Sequence, residues 1–297
     1  MNTKKWYQEA VINGVAMPFQ RHRDTSQKRW ERFIRPLLPS GRGLLVDLGC
    51  NAGFYMRKAA DLGFTTIGVE IDEDYLEHAR YWESQDPRGV TIIKEDISKY
   101  DLPACQVALL ANVHYWLTKP QLTKLVNNLK ERVLSVIVVG RHARSQRHKS
   151  PCDLTSLRAL FSDFIGDKSV IGYKHYSVIF INPRLTEKNV DEVFNNQPLV
   201  RSRKFLPSFS KLIDDPSDPT NSDYYRYLKW RGFENPKELL MGRVDLIADV
   251  RKNGIKNPLL LGRTVNGQYE KDRLSDGDHR IVIAKKLGIK KVICKIR

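Results

Sequence analysis

Short apolar runs alternate with amphipathic segments over the first half of the chain. The amphipathic segments have helical spacing and cover residues 54–62, a stretch that opens at Asp72, and residues 119–132. The apolar runs are predicted strands and cover residues 43–48, 65–71, 90–93, 107–111 and 134–139. Strands that alternate with helices in this way predict an α/β fold, in which helices cover both faces of a parallel sheet.

Three further elements follow the last of these strands. Residues 155–164 have helical spacing, and Asp153 stands where an N-cap is expected. Residues 169–173 and 176–181 are two apolar runs with a short separation. They predict an antiparallel hairpin at one edge, which completes a seven-stranded, Rossmann-like sheet.

The periodic pattern weakens after Pro183 and returns at about Tyr224. The stretch between these residues is rich in Asp, Asn and Pro, which are typical of turns and linkers. We therefore predict a first domain over residues 1–185, a linker over 186–222 and a smaller α/β domain over 223–297.

Composition narrows the class of protein. The 297 residues are 41% hydrophobic with a mean hydropathy of -0.45, which is enough apolar content for packed cores. No apolar run is long enough to span a bilayer, and no apolar segment follows the charged N-terminus as in a secretory signal. The four cysteines are scattered without a Cys-x-x-Cys pair, which predicts neither a disulfide framework nor a metal site and favours a cytoplasmic location.

The formal net charge of +16 is unevenly distributed. The last 72 residues, from Arg226 onward, contain 18 Lys and Arg residues against 8 Asp and Glu, whereas the preceding 225 residues contain 32 against 26. A basic surface attracts nucleic acid, nucleotides or other polyanions. A merely solvated, Lys-rich surface is the alternative.

Four loops at the carboxyl ends of the predicted strands carry polar side chains. The first strand runs into Asp-Leu-Gly-Cys-Asn-Ala-Gly, residues 47–53, and a helix opens there. Glycines let the backbone approach a ligand, and a helix N-terminus offers it free amides. The other loops hold Glu70 after the second strand, Asp96 and Ile97 after the third, and Asn112 and His114 after the fourth. Open α/β sheets bind their ligands at this edge.

These loops together resemble the class I S-adenosylmethionine-dependent methyltransferases over residues 40–183. The resemblance implies that the methionine part of S-adenosyl-L-methionine is held by Asp47, Gly49, Asn51 and Gly53. It implies that Glu70 binds the ribose, that Asp96 and Ile97 face the adenine, and that Asn112 binds cofactor or orients the acceptor. A nucleotide-binding α/β domain of another kind is the alternative.

The first 30 residues contain Trp6-Tyr7-Gln8, Asn13-Gly14-Val15, Arg21 and Trp30. This segment is similar to the start of the tRNA wobble-uridine carboxymethyl/methoxy methyltransferase group. The positions with which that group binds a carboxylated cofactor are not evident here, so ordinary methyl transfer is expected. Alternatively, the aromatic side chains pack a helix or lid onto the sheet.

His114 lies at the predicted reaction edge and is a candidate general base. Alternatively, it shapes the pocket or hydrogen-bonds the backbone. Its loop contains no Asn/Asp-Pro-Pro-Tyr motif and no Pro-Cys nucleophile, and Cys152 follows the fifth strand instead. The sequence therefore disfavours amino methylation of adenine or cytosine, and also a covalent cytosine mechanism.

A basic loop follows the fifth strand. Its permanent cations are Arg141, Arg144, Arg147 and Lys149. At the same edge as the cofactor site, such a cluster suits an acceptor that carries phosphate or carboxylate. A solvated charged loop is the alternative.

The sequence Ser-Asp-Gly-Asp-His-Arg, residues 275–280, lies between a predicted strand and a predicted helix. Residues 254–297 resemble the ParB/sulfiredoxin-like fold, whose Asp-Gly-x-His-Arg turn binds nucleotide phosphates in several members. The resemblance assigns phosphate binding to Asp276, Gly277, His279 and Arg280. Asp278 stands where sulfiredoxin has cysteine, so sulfur reduction is excluded. A degenerate copy used for packing or recognition is the alternative.

Residues 224–231 interleave aromatic and basic side chains. They either stack on bases or sugars, or form an amphipathic helix that packs its aromatic side chains inward, which we favour.

The sequence thus predicts a two-domain, S-adenosylmethionine-dependent methyltransferase. The favoured acceptor is a small polar molecule, such as a sugar or a nucleotide-linked compound with phosphate, methylated at a hydroxyl. RNA or DNA is the alternative acceptor, and a non-enzymatic nucleotide-sensing or nucleic-acid-binding protein is the third hypothesis. Expected partners are therefore the small substrate, a nucleotide at the second domain, or nucleic acid.

Overall fold

The chain divides into two compact units, Met1–Pro183 and Arg184–Arg297, in the computed structural model. Each unit contains its own sheet and its own buried core. The structure describes residues 6–18, 25–39, 43–142, 147–150, 153–172, 174–197, 205–265 and 268–296.

A small hairpin lies near the N-terminus, where strands β1 (Val11–Ile12) and β2 (Val15–Ala16) pair antiparallel. Asn13 and Gly14 form its two-residue turn with φ angles of 50° and 79°. Positive φ at both positions is what a type I′ turn requires, and this explains the Asn-Gly sequence.

Helix α1 (Ser26–Arg29) follows and continues through a π-helical turn (Trp30–Ile34) and a 3₁₀ turn (Arg35–Leu37). Trp6 and Trp30 are both buried in one apolar cluster of the first unit. The aromatic side chains of the N-terminal segment therefore pack, as the alternative interpretation of that segment proposes.

A seven-stranded mixed sheet forms the centre of the first unit. Its strands are β3 (Leu44–Leu48), β4 (Thr65–Glu70), β5 (Thr91–Lys94), β6 (Cys105–Ala111), β7 (Val133–Arg141), β8 (Ile165–Ile171) and β9 (His175–Ile181). The order along the sheet is β5-β4-β3-β6-β7-β9-β8. The first five strands are parallel, and β9 lies antiparallel between β7 and β8. The predicted α/β class and Rossmann-like sheet with a terminal hairpin are confirmed.

Helices cover both faces of this sheet. They are α2 (Phe54–Asp61), α3 (Glu73–Gln85), α4 (Lys119–Arg132) and α5 (Leu154–Leu160). Along β3, Val46 and Leu48 enter the core that contains α4 and α5, whereas Leu45 enters the core that contains α2 and α3. A strand covered on both faces needs apolar residues at every position, which explains the continuous apolar runs of the sequence.

Asp153 caps helix α5, because its Oδ1 accepts a hydrogen bond from the backbone N–H of Ser156 at 2.9 Å. This predicted N-cap is confirmed. The predicted helix over 155–164 is shorter in the structure, and β8 begins at Ile165 rather than at residue 169.

A four-stranded sheet forms the centre of the second unit, in the order β10-β13-β11-β12. The strands are β10 (Leu185–Asn189), β11 (Leu259–Val265), β12 (Gln268–Asp276) and β13 (Lys291–Ile296). The helices are α6 (Val190–Asn195), α7 (Phe205–Asp214), α8 (Asp223–Trp230), α9 (Pro236–Asn253) and α10 (Asp278–Lys286). Strands β11 and β13 are parallel, and the other neighbours are antiparallel.

The predicted linker over residues 186–222 differs from the structure, in which the described part of this stretch belongs to the second unit. It contains β10, α6 and α7, and β10 pairs with β13 from Leu185 opposite Lys295 to Asn189 opposite Lys291. Strand β10 lies at the edge of the sheet and is mostly polar, so it lacks the apolar run by which the central strands are recognised.

No helix among the described residues combines the length and the apolar character that crossing a membrane requires.

Candidate active site

The glycine turn between β3 and α2 lies at the carboxyl end of β3. Gly49 and Gly53 have φ angles of 81° and 85°, and Asn51 has a φ of 55°. A Cβ at Gly49 would lie 2.6 Å from Cγ2 of Val113, which belongs to the loop after β6. Glycine is therefore required at residue 49 both by its backbone conformation and by the close approach of a neighbouring loop.

Glu70, at the end of β4, fastens this turn to the neighbouring strand. Its Oε2 accepts a hydrogen bond from the N–H of Asn51 at 3.0 Å, and its Oε1 accepts from the N–H groups of Ile71 and Asp72 at 2.8 Å and 3.0 Å. The carboxylate is almost buried and is held in a single orientation by three backbone donors. This is the position at which the sequence predicts the ribose ligand.

Asp47 is fully buried at the end of β3, and neither carboxylate oxygen has a partner at full hydrogen-bond geometry. Burial, and secondly the charge of Glu70, raise the pKa of Asp47 to about 8. The N–H of Met56 approaches the carboxylate and opposes part of this shift. A positive charge beside these two carboxyl groups would offset both contributions to the raised pKa.

Two more polar side chains whose buried polar atoms have no hydrogen-bond partner in the protein follow β6. Asn112 has a φ of 60°, and neither its side-chain oxygen nor its nitrogen is hydrogen-bonded. His114 is 1% exposed, and both of its ring nitrogens lack partners. Burial, and secondly the nearby His148, lower the pKa of His114 to about 3, so its ring is neutral at physiological pH.

Asp96 and Ile97 lie beyond the end of β5. Oδ1 of Asp96 accepts hydrogen bonds from the N–H and the hydroxyl of Ser98, both at 2.8 Å, so it closes a local turn. Ile97 is buried in the core that also contains α4. Both residues therefore lie near the carboxyl end of β5. Asp96 is engaged in a local turn, and Ile97 belongs to the apolar core.

The basic segment after β7 packs on the turn that contains His114. The N–H groups of Lys149 and Ser150 donate to the carbonyl of Tyr115 at 2.8 Å and 3.2 Å, and the hydroxyl of Ser150 donates to the carbonyl of Leu117 at 2.6 Å. Arg141 and Arg147 are exposed at either end of this loop. Arg144 and Cys152 lie outside the described residues.

The sequence assigns no individual role to two residues of this region. His148 is buried and stacks on Tyr115, although it stands in a run of charged residues that suggests a solvated loop. Gln8 accepts a hydrogen bond from the N–H of Phe54, the first residue of helix α2. The separation of 46 residues between Gln8 and Phe54 leaves no local signal for this contact.

Residues 45–135 match the family model of a methyltransferase domain. The chain therefore contains a methyltransferase domain. No curated protein sequence matches the chain.

Several solved structures are similar to part of this chain in fold. A protein of Pyrococcus horikoshii OT3 has 16% identity, a TM-score of 0.47, and coverage of 54% of this chain and 93% of its own. The N-methyltransferase NodS of Bradyrhizobium japonicum WM9, in complex with S-adenosyl-L-homocysteine, has 15% identity, a TM-score of 0.46, and coverage of 55% and 93%. Magnesium protoporphyrin IX methyltransferase of Synechocystis PCC 6803, also with S-adenosyl-L-homocysteine, has 12% identity, a TM-score of 0.41, and coverage of 48% and 75%.

The second unit places the predicted phosphate-binding residues of the methyltransferase at the start of α10. Strand β12 ends at Asp276, and Gly277 is the N-cap with a φ of 119°, so the predicted order of strand, glycine turn and helix is correct. The guanidinium of Arg280 donates to the carbonyl of Asn257 at 2.7 Å and to Oδ2 of Asp276 at 2.8 Å. Asp276 and Arg280 therefore bind each other within the second unit.

His279 differs from its predicted role as an anion ligand. Its Nε2 lies 2.7 Å from the hydroxyl of Tyr224, and its ring packs edge-on against Phe205 and Phe209. Burial, and secondly the charge of Arg243, lower the pKa of His279 to about 3. A neutral ring that points into an aromatic cluster contributes no charge to an anion site.

Helix α8 has aromatic side chains both in the core and on the surface. Tyr224 and Leu228 are buried in the core of the second unit. Trp230 is 62% exposed and, with Arg226, lines a cavity of about 310 Å³. The favoured inward packing is correct for Tyr224, whereas most of the Trp230 side chain is exposed.

Proposed function

We propose that this methyltransferase acts on a hydroxyl of a polar acceptor that carries phosphate. The observation that supports a polar reaction site is the set of buried, unbonded groups on Asp47, Asn112 and His114. Buried polar groups are nearly always hydrogen-bonded, so three such side chains at the carboxyl ends of β3 and β6 mark a place where ligands supply the partners.

The residues at this edge fit S-adenosyl-L-methionine by the chemistry of their donors and acceptors. Glu70 is proposed to bind the ribose hydroxyls, and Asp47 to favour the positively charged methionine end. Gly49 and Gly53 give the turn the backbone conformation that brings it to that end, and Asn51 is proposed to contact it within the same turn. Asp96 and Ile97 are proposed to face the adenine and Asn112 to hold the methionine part. When bound, the cofactor supplies a methyl group that is already activated on its sulfonium.

His114 is proposed to orient the acceptor rather than to act as a strong base. A general base is most effective when its pKa lies near the operating pH, and the pKa of His114 is about 3. A neutral imidazole nitrogen without a partner accepts a hydrogen bond from a hydroxyl, which aims an oxygen lone pair at the methyl group. Positioning of this kind supplies much of the barrier reduction when the donor is activated.

The basic loop is proposed to bind the phosphate of the acceptor. Arg141 and Arg147 are exposed, and the segment that carries Arg147 is held against the turn of His114 by the carbonyl of Tyr115. Arg144 belongs to the same proposal. Charge-assisted hydrogen bonds from guanidinium groups are the usual means of phosphate recognition.

A second candidate acceptor is RNA or DNA, and the exposed side of helix α8 favours it. An indole that is 62% exposed beside an arginine offers a stacking surface and a cation for one nucleotide. Under this proposal the second unit recognises the strand, with Asp276, Gly277 and Arg280 as a further phosphate contact. That contact requires Arg280 to exchange its present partners.

Mass spectrometry of small molecules that co-purify with the protein tests the cofactor and the acceptor together. We expect S-adenosyl-L-methionine or its demethylated product, and binding of both in calorimetry. A folded protein that binds neither contradicts the proposed site. Methyl transfer from labelled cofactor to phosphorylated sugars or nucleotide-linked compounds supports the first candidate. Labelled RNA or DNA, with binding that weakens steeply as salt rises, supports the second.

A further inference from the structure

The N-terminal segment, residues 6–18, is joined to the glycine turn by one buried hydrogen bond. Oε1 of Gln8 accepts from the N–H of Phe54 at 3.0 Å, and the Gln8 side chain is 5% exposed. Phe54 is the first residue of helix α2, whose N-cap is Gly53. Glycine has no side chain with which to cap a helix, so Gln8 supplies the acceptor that the local sequence lacks.

Every amide of the turn from Gly49 to Phe54 has a partner. The N–H groups of Gly49 and Cys50 donate to the carbonyl of Val69, and that of Asn51 to Glu70. The N–H of Ala52 donates to Oδ1 of Asn51, and that of Gly53 to the carbonyl of Cys50. Five of the six N–H groups therefore donate to acceptors in the turn itself or at the end of β4. Gln8 alone comes from a distant part of the chain.

Residues on both sides of Gln8 are held by ring contacts or backbone hydrogen bonds, and these contacts position its side chain. Trp6 stacks on His78 of helix α3, with ring centroids 4.6 Å apart and planes 11° apart, and also packs against Trp82. The N–H of Trp6 donates to the carbonyl of Pro18, and that of Met17 to the carbonyl of Ala10. The hairpin thus closes on itself and is held against α3 while Gln8 reaches α2.

We propose that Gln8 is a positioning residue for the cofactor, which makes the N-terminal segment part of the cofactor site. This inference rests on the proposed binding of S-adenosyl-L-methionine at the glycine turn. Loss of the Gln8 acceptor leaves the N–H of Phe54 buried without a partner, and the turn then shifts to expose that group to water. The turn that shifts is the one that holds the methionine end of the cofactor.

Glu9 provides a matched control from the same segment. Its Oε2 accepts from the N–H of Ser26 at 2.5 Å and from that of Gln27 at 3.3 Å, at the start of helix α1. Gln8→Ala and Glu9→Ala each remove one side-chain acceptor from a helix N-terminus. Only the first of these helices begins at the glycine turn, so a general loss of stability and a specific loss of cofactor affinity are separable.

The test is calorimetric binding of S-adenosyl-L-homocysteine, together with the Tm of each variant without ligand. We expect Gln8→Ala to raise the Kd about tenfold, as loss of one buried hydrogen-bond partner predicts. Glu9→Ala is expected to lower the Tm with a Kd within about twofold of the parent. Glutamate has the same side-chain length as glutamine and keeps an acceptor oxygen, so Gln8→Glu should bind the ligand with nearly the affinity of the parent. Asparagine is one methylene shorter, so Gln8→Asn should bind as weakly as Gln8→Ala.

An unchanged Kd in Gln8→Ala, or an equal loss in Gln8→Glu, would overturn the proposal. If Gln8→Ala does not fold, the contrast between Gln8→Asn and Gln8→Glu replaces it. Hydrogen exchange of the unmodified protein provides an independent result, since the ligand should protect residues 6–18 together with residues 49–54. Protection of the turn without the segment also contradicts the proposal. Absence of any binding by the unmodified protein instead contradicts the proposed function.

Discussion

The imidazole of His148 stacks on the phenol ring of Tyr115, with ring centroids 4.1 Å apart and planes inclined by 28°. This contact joins the basic loop after β7 to the turn after β6. It places one buried histidine beside another, since His148 also contributes to the low pKa of His114. The loop proposed to bind the acceptor and the residue proposed to orient it are therefore one packed assembly.

Replacement of His148 should destabilise the first unit without affecting the cofactor. His148→Ala removes a buried aromatic contact, for which we expect a loss of about 1–2 kcal/mol in the free energy of unfolding. Lys149→Ala is the control, because Lys149 belongs to the same basic run and its side chain is exposed. Urea denaturation of the two variants compares these effects. Equal stability of the two variants would show that the stacking contributes nothing.

Gly49→Ala should weaken cofactor binding more than its backbone strain alone explains. The new Cβ would lie 2.6 Å from Cγ2 of Val113, and the alanine backbone would have to keep a φ of 81°. Gly89 has a φ of 70° with no atom within 4 Å of the added Cβ, so Gly89→Ala measures the strain by itself. We expect a cost of about 1 kcal/mol for Gly89→Ala with unchanged affinity. Gly49→Ala should cost about 1–3 kcal/mol more and lower the affinity for S-adenosyl-L-homocysteine at least about tenfold. Similar affinities of the two variants would contradict the close-approach argument.

The buried Asp47 should lower the free energy of unfolding of the unliganded protein as pH rises from about 4 to about 8. The pKa of Asp47 is about 8 in the folded protein and 3.8 in its ordinary state, so the folded chain retains a proton that the unfolded chain releases. Its contribution to the free energy of unfolding therefore falls with increasing pH between about 4 and 8. Asp47→Asn should match the parent near pH 4 and exceed its stability by about 1 kcal/mol or more at pH 8.

Tryptophan fluorescence in urea at several pH values tests this, since four of the five tryptophans lie in the first unit. The same variant should bind S-adenosyl-L-homocysteine and S-adenosyl-L-methionine differently from the parent. Loss of the carboxylate should cost more for the cationic sulfonium than for the neutral thioether. A stability difference that does not depend on pH would argue against a protonated Asp47.

The hydrogen bond between Tyr224 and His279 should stabilise the second unit rather than bind a ligand. Tyr224→Phe leaves Nε2 of His279 buried without its partner, for which we expect a loss of about 1–3 kcal/mol. The pKa of His279 is about 3, below its ordinary 6.5, so its contribution to stability is present above pH 6.5 and is lost as pH falls towards 3.

Thermal denaturation at pH 7 and pH 5 tests both expectations. Arg280→Ala should lower the Tm as well, and it should leave the affinity for S-adenosyl-L-homocysteine unchanged because Arg280 belongs to the second unit. If Arg280→Ala abolished cofactor binding, the assignment of the cofactor to the first unit would be wrong.

The sequence by itself determined the sheet of the first unit and the location of its polar loops. Strands such as β3 and β6 are buried on both faces, so they need a continuous apolar run that is visible without any structure. The turn from Asp47 to Gly53 is equally visible, because positive φ angles and a close approach require glycine at defined positions. Both signals are local, and each depends on a few consecutive residues.

Only the tertiary structure decided which distant residues complete these loops. Gln8 follows two aromatic residues and His148 stands in a basic run. The contacts of these two side chains are with residues that lie 46 and 33 positions away. His279 matches a phosphate-binding motif, yet its ring turns to Tyr224 because an aromatic cluster from α7 and α8 covers the start of α10. Strand β10 pairs with a strand about 100 residues further along the chain. Side-chain orientation and long-range pairing follow from packing between elements, which the local pattern of apolar and polar residues does not encode.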